Sequence, residues 1–197
     1  MATTLFIDSE NFKNKLKVVF EKEGKERPLW YEYNFGGLLD QVLKNIPIDK
    51  KIFYTARLGN HPLSQEKSKQ LIEEQRLMKK SLESNGFQFV YGGRVRGNVV
   101  SENGKERVIF KEKGVDVRMA VDMVEAAYEG ALKVAIIGSS DSDLQPAIKI
   151  LKRRGVECIY LGFELDPNKG LLYTTNRGIL IRNSEVLNYL SPKLSVG

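Results

Sequence analysis

The segment Leu132-Lys-Val-Ala-Ile-Ile-Gly-Ser-Ser-Asp-Ser-Asp143 decides the fold. Its first half is an apolar run that ends at Ile137 and is closed by Gly138. A strand with one wet face alternates apolar and polar residues. A nearly continuous run marks a strand buried on both faces, as in a parallel sheet. Small and acidic residues follow, then a helical pattern from Asp143 to Arg154 that Gly155 terminates. A second apolar run, Val156 to Leu161, comes next. Strand, helix and strand in this order make a βαβ unit.

The same grammar recurs on both sides. Thr4-Leu-Phe-Ile7 reads as a short buried strand ended by Asp8. Asn11 to Lys22 follows as a helix, with Phe12, Leu16, Val19 and Phe20 on one face. Asn34 to Asn45 is a second helix, stopped by Pro47, and Lys51 to Leu58 a second strand. Ser64 to Asn85 is a long helix with Asn85-Gly86 as its stop signal, and Phe87 to Tyr91 a third strand. Val115 to Tyr128 is an amphipathic helix. Gly178 to Ile181 reads as a short further strand, and Ser184 to Leu190 as a closing helix. Between about residues 92 and 113 the pattern is least regular. Asn103-Gly104 is a strong hairpin turn signal there, so this segment is expected to be an inserted β-hairpin. Its six cations, Arg94, Arg96, Lys105, Arg107, Lys111 and Lys113, face three acids, Glu102, Glu106 and Glu112, for a net +3. The expected fold is therefore a three-layer α/β/α arrangement with a mostly parallel sheet of about five strands and helices on both faces. In such sheets ligands sit beyond the carboxyl ends of the strands, where the strand order reverses.

Composition excludes several classes. The 197 residues are 42% hydrophobic and 28% charged, which is ordinary globular composition. No apolar run approaches the roughly 18 residues of a membrane span, and the N-terminus lacks the basic start of a signal peptide. An intracellular, cytoplasmic protein with no membrane contact is expected. Cys158 is the only cysteine, so no intramolecular disulfide forms, and with His61 the only histidine no four-ligand Cys/His zinc site can be built. A Ser-His-Asp triad would need His61, in a polar Asn60-His61-Pro62 turn, and is disfavoured. The net charge of +6 makes a polyanionic partner plausible without requiring one.

Three clusters of acids fall at strand ends or helix starts: Asp8-Ser-Glu-Asn11, Lys113-Gly-Val-Asp116, and Gly138-Ser-Ser-Asp141-Ser-Asp143. Each alone is most simply an N-cap. All three at the end of the sheet where a ligand belongs ask for more. Converging carboxylates without His or Cys are hard oxygen ligands suited to Mg²⁺ or Mn²⁺. Such sites commonly run phosphoryl transfer or phosphodiester hydrolysis.

Phe-Ile-Asp8-Ser-Glu-Asn11, Lys-Gly-Val-Asp116-Val, Ala-Val-Asp122-Met and Ile-Gly-Ser-Ser-Asp141-Ser-Asp143-Leu together resemble the signature of the NYN domain, a PIN-like ribonuclease fold, within the group of LabA-like bacterial proteins. The resemblance spans about residues 3–163, which would form the core of a single domain of 1–197, with the hairpin inserted at about 92–113 and a C-terminal extension at about 164–197. It implies a PIN-like, Rossmann-like α/β fold, dependence on Mg²⁺ or Mn²⁺, and hydrolysis of RNA by metal-activated water. Carried over by position, Asp8, Asp116, Asp141 and Asp143 become the metal-binding acids, and Asn11 a positioning residue among the catalytic set. Ser139 and Ser140 join as supporting donors. Three departures stand out: Ser140 where the family more often has Gly, Leu144 where it often has an aromatic, and a stretch from Gly92 to Lys113 longer than the usual connection.

Asp122 is six residues from Asp116, about 120° around a regular helix, and cannot share its direction. An ion pair with Arg118 is its simplest role, and a supporting role at the site the alternative. Trp30, Tyr31 and Tyr33 could stack on bases but suit packing against the sheet better. Arg57 and Asn60, after the second strand, and Arg94, Arg96 and Arg107 in the hairpin are candidate contacts for an RNA backbone. Lys149, Lys152, Arg153 and Arg154 read as a solvated face, and Cys158 as a core residue. The sequence thus favours a metal-dependent ribonuclease acting on single-stranded RNA. A binding module for RNA or nucleotides with a weak or degenerate site is the alternative, and a homodimer is left open. A phosphatase with a nucleophilic Asp-x-Asp motif fits poorly, because that motif belongs after a first strand and here follows a late one.

Overall fold

The computed structural model describes residues 1–59, 65–102 and 105–190, and of residues 98–102 and 105–107 the backbone alone. Among them seven strands form one sheet: β1 (Ala2–Asp8), β2 (Lys50–Arg57), β3 (Phe87–Glu102), β4 (Lys105–Lys113), β5 (Leu132–Gly138), β6 (Glu157–Phe163) and β7 (Arg177–Ile181). Their order is β4-β3-β2-β1-β5-β6-β7. Every pairing is parallel except that of β3 with β4. The chain winds outward from β1 to β3 on one side and from β5 to β7 on the other. The order therefore reverses between β1 and β5, the two strands that end in Asp8 and lead into Asp141.

The helices are α1 (Ser9–Lys22), α2 (Phe35–Val42), α3 (Gln65–Ser84), α4 (Val115–Tyr128), α5 (Gln145–Arg153), α6 (Lys169–Thr174) and α7 (Asn183–Asn188). Buried side chains divide into two clusters by strand alternation. On one face Leu5, Ile7, Phe53, Ile136, Ile159 and Leu161 meet Phe12, Leu16 and Phe20 of α1, Leu38 of α2, Met78 of α3 and Val186 of α7. On the other, Phe6, Tyr54, Ala135, Ile137 and Tyr160 meet Met119 and Met123 of α4, Ile148 and Leu151 of α5, and Leu171 of α6. This is the expected three-layer α/β/α arrangement. Cys158 is fully buried, and burial pushes its thiol up to about 11, so it is unreactive packing. Among the described residues no helix is long and apolar enough to cross a membrane.

One expectation needs correction. The sheet has seven strands, not about five. The expected hairpin is present, as the antiparallel pairing of Arg94–Glu102 with Lys105–Lys113, and its first arm is continuous with the third strand. β3 runs for 16 residues, straight through the predicted third strand and on into the hairpin, and β4 returns beside it as the edge strand. A register shift between Thr55 and Ala56 of β2, opposite Tyr91 and Gly93, marks where the strand continues past the sheet proper. The glycines Gly92 and Gly93 hid this continuity in the sequence. The short further strand read at Gly178 to Ile181 is β7, which forms the opposite edge of the sheet. The Asn103-Gly104 turn, Asn60 and His61 lie outside the described residues.

Candidate metal centre

Asp8 ends β1 and caps α1. The Asn11 N–H donates to its Oδ1 at 3.1 Å, and the Asn11 side-chain amide donates to its Oδ2 at 2.8 Å. The residue is 3% exposed. Burial is the main cause that raises its pKa above the ordinary carboxylate value. The two Asn11 bonds pull it back down, and the charge of Asp141 raises it further. The Ser140 hydroxyl donates to the Asn11 Oδ1 at 2.9 Å, which turns the amide nitrogen toward Asp8. The residue that departs from the usual glycine therefore ties the loop after β5 to the start of α1.

After β5 the backbone is held just as locally. The Asp141 N–H donates to Ser139 Oγ at 3.1 Å, and the Asp143 N–H donates to Asp141 Oδ1 at 2.9 Å, opening a short 3₁₀ turn at Ser142–Leu144. Leu144, where an aromatic was the commoner choice, is buried under α4 and α5. Asn168 pins the loop from outside. Its side-chain amide donates to the Ser140 carbonyl at 2.8 Å and to Ser142 Oγ at 2.9 Å, and its Oδ1 accepts from Leu171 to cap α6. Neither α6 nor Asn168 was expected. The signal was present, as Pro167-Asn168 ahead of the apolar pair Leu171-Leu172.

Asp116 arrives by a different route. Lys113, the last residue of β4, pairs with Arg94, which itself pairs with Arg57 at the carboxyl end of β2. The edge strand therefore delivers the chain back to that end of the sheet. Gly114 then turns into α4 with φ +88°, a conformation L side chains rarely adopt, and Asp116 falls in the first turn of the helix.

These elements bring together Asp8, Asp116 and Asp141, which line one pocket of about 250 Å³ with Asn11, Asn14, Glu10 and Glu112. Asp143 joins from the solvent side: one oxygen each of Asp116, Asp141 and Asp143 lie within 4.8 Å of one another. Among the described residues none of the four aspartates is in an ion pair. Lys113 also lines the pocket but pairs with none of the four, and this close-set group of carboxylate oxygens fits a hard divalent cation with several waters in its shell. Glu112 is the member the sequence reading passed over, as one more hairpin acid. It is half-buried, and its carboxyl is pushed up to about 7, by burial first and then by the charges of Asp8 and Glu10, against the pull of Lys13 and a backbone hydrogen bond at Ala56.

Other candidates lie elsewhere. Asp122 accepts from the Tyr54 hydroxyl at 3.1 Å and from Arg118 Nε at 2.7 Å, and does not line the pocket. Arg57 is exposed and lies over the Tyr91 ring, 4.7 Å from its centroid. In the hairpin, Arg94 stands opposite Lys113 and Arg96 opposite Lys111, two like-charge cross-strand pairs on one face. Such pairs are destabilising by themselves. The side chain of Arg107 is outside the described residues. Tyr33 is core, its hydroxyl donating to the Val186 carbonyl at 3.0 Å, while Trp30 and Tyr31 are only half-buried. Lys149, Lys152, Arg153 and Arg154 are exposed, as expected of a solvated face, and Lys152 also donates to the Thr174 carbonyl at 2.9 Å, joining α5 to α6.

A mostly parallel sheet with an acidic pocket at its switch point is consistent with a PIN-like α/β fold. The NYN domain family matches residues 2–176, and the chain belongs to this nuclease-like family. A solved structure of a protein of unknown function from Vibrio parahaemolyticus is similar at 14% identity and a TM-score of 0.51, covering 91% of this chain and 93% of that one. It shares the fold. No curated protein matches this chain.

Proposed function

We propose that this protein is a divalent-metal-dependent ribonuclease that hydrolyses phosphodiesters of single-stranded RNA, acting as one NYN unit. The observation that carries the reading is the set of clustered carboxylates, none in an ion pair, at the strand-order reversal of a NYN chain. Asp116, Asp141 and Asp143, with Asp8 beside them, would hold Mg²⁺ or Mn²⁺. Bound there, the cation supplies an activated water and neutralises charge on the phosphate.

The chain's own residues do the positioning. Asn11 holds both oxygens of Asp8, and Ser140 holds Asn11, so Asp8 faces the pocket in one orientation. Ser139 and Asn168 fix the loop that presents Asp141 and Asp143. The cross-strand cations Arg94, Arg96, Lys111 and Lys113 would hold backbone phosphates, which relieves their mutual repulsion. Arg107, Arg57 and Asn60 are further candidates for that role. A lone buried cysteine suits the reducing cytoplasm, where we place the activity.

The test is cleavage of a single-stranded RNA oligomer by the purified protein. EDTA should abolish cleavage, and Mn²⁺ or Mg²⁺ should restore it. Asp141→Asn should lower the rate by several orders of magnitude while leaving the fold intact. RNA binding without cleavage under any metal would favour the binding-module alternative. Metal-independent cleavage that survives both Asp8→Asn and Asp141→Asn would overturn the assignment.

A further inference from the structure

Beside the acidic pocket lies a larger groove of about 410 Å³, between α1, α3 and the hairpin. The two share Glu10, Asn14 and Glu112, so they form one continuous depression. Away from the shared end the lining changes character. Trp30 and Tyr31 form an aromatic wall, and Lys17 and Arg27 stand beside it. The hairpin contributes the face opposite to its like-charge pairs: Val95 stands across from Glu112, and Phe110 lies two residues before it.

The aromatic wall is set rigidly from behind. Trp30 packs edge-on against Tyr33, with centroids 6.4 Å apart, and tilted against Phe35 at 6.2 Å. The Arg27 guanidinium lies 5.9 Å from the Trp30 ring centroid. Of the acids in the groove, Glu10 and Glu112 belong to the shared end; Glu74 accepts from the Gln70 amide at 3.0 Å and keeps its charge, and Lys17 is in an exposed i,i+4 pair with Glu21 at 3.5 Å that a phosphate would have to outcompete. The cationic and aromatic groups thus lie together, one step from the carboxylates. That combination matches an unpaired nucleotide: an aromatic or guanidinium plane takes the base face, and a neighbouring lysine takes the phosphate.

We propose that this groove is the binding site for an unpaired base of the RNA strand, next to the phosphate held at the acidic pocket. The base stacks on Trp30 and Arg27, and Lys17 holds its phosphate. The inference rests on the ribonuclease reading and gives its single-strand preference a physical site: a paired base cannot present its face to Trp30.

Trp30 is the only tryptophan in the chain, so its emission reports the groove directly. The full-length protein in EDTA is titrated with a 12-nucleotide single-stranded RNA, the same RNA as a duplex, and an abasic oligomer of equal length. Binding is followed in parallel by anisotropy of a labelled copy. The single strand should quench Trp30, and the duplex and abasic oligomers should not. Trp30→Ala should weaken single-strand binding roughly 5- to 150-fold, and Trp30→Phe should recover most of it. Lys17→Ala, an exposed change that cannot unfold the core, should weaken binding and lower the salt slope by about 0.7. Binding by anisotropy with no quenching and no effect of Lys17→Ala would overturn the groove assignment and leave the ribonuclease reading standing. Equal quenching by the duplex would overturn it as well. No binding of any RNA would overturn both.

Discussion

Replacing Asp141 with Asn should stabilise the metal-free protein. Asn keeps the shape, and its Oδ1 can still accept from the Asp143 N–H, now at 2.9 Å, so the 3₁₀ turn keeps its cap. What disappears is repulsion within a group of carboxylates whose oxygens lie within 4.8 Å of one another. Two unit charges at that separation repel by about 0.9 kcal/mol in bulk water and about 3.5 kcal/mol at an effective dielectric of 20. Asp143 is exposed and belongs near the lower figure, while Asp116 is half-buried and falls between them. Together they give about 2–3 kcal/mol, of which about half survives screening at physiological salt, where the Debye length is about 8 Å. A net 1–2 kcal/mol corresponds to a rise in Tm of about 2–8 °C for a chain of this size. Thermal melts in EDTA should show that rise, and it should shrink in high salt. Mn²⁺ reverses the ranking. At 100 times its Kd a ligand adds about 2.7 kcal/mol to the wild type, and the variant, short of one anionic ligand, should gain little. A variant less stable than wild type in EDTA, or one that gains as much from Mn²⁺, would refute the electrostatic reasoning.

Changing both Arg94 and Arg96 to Ala should weaken RNA binding and reduce the slope of log K against log salt by about 0.7 for each phosphate that an arginine no longer neutralises; an unchanged slope would assign both to solvent. Glu112→Gln tests the one strongly perturbed carboxyl at the pocket. Its pKa of about 7 in the folded protein lies above its ordinary 4.5, so the native state binds the proton more tightly than the unfolded chain. Wild-type stability therefore falls as pH rises from about 4.5 to 7, and the glutamine variant escapes that loss. In EDTA the advantage of the variant in Tm should grow across this window and stay level above it; an advantage that shrinks with rising pH would contradict the assigned environment.

Much of this was legible in the sequence because buried parallel strands leave continuous apolar runs, and the chain must leave each strand through residues that tolerate the sheet's edge. Asp8 and Asp141 each follow such a run, so their neighbourhood could be argued before any coordinates. Asp116 was harder. Its place depends on β4 returning the chain to the carboxyl end of β2, a long-range pairing that local periodicity does not encode. The same blindness split β3 into a core strand and an insertion, because Gly92 and Gly93 interrupt the pattern while the backbone runs on. Glu112 was missed for a similar reason. Alternation along the hairpin puts it on the face opposite to Lys111 and Lys113, but which face looks into the site is decided by the register with β3. Asn168, reaching back to Ser140 across 28 residues, left no trace beyond its own capping signal.

The central claim is that the carboxylates at the strand-order reversal hold a divalent cation. Crystals soaked in Mn²⁺ and measured at the manganese absorption edge test it without reference to activity. The account predicts an anomalous peak in the pocket, about 2 Å from carboxylate oxygens of Asp116 and Asp141, and its loss in Asp141→Asn crystals. An empty pocket at saturating Mn²⁺, or a peak held by other residues, would contradict it.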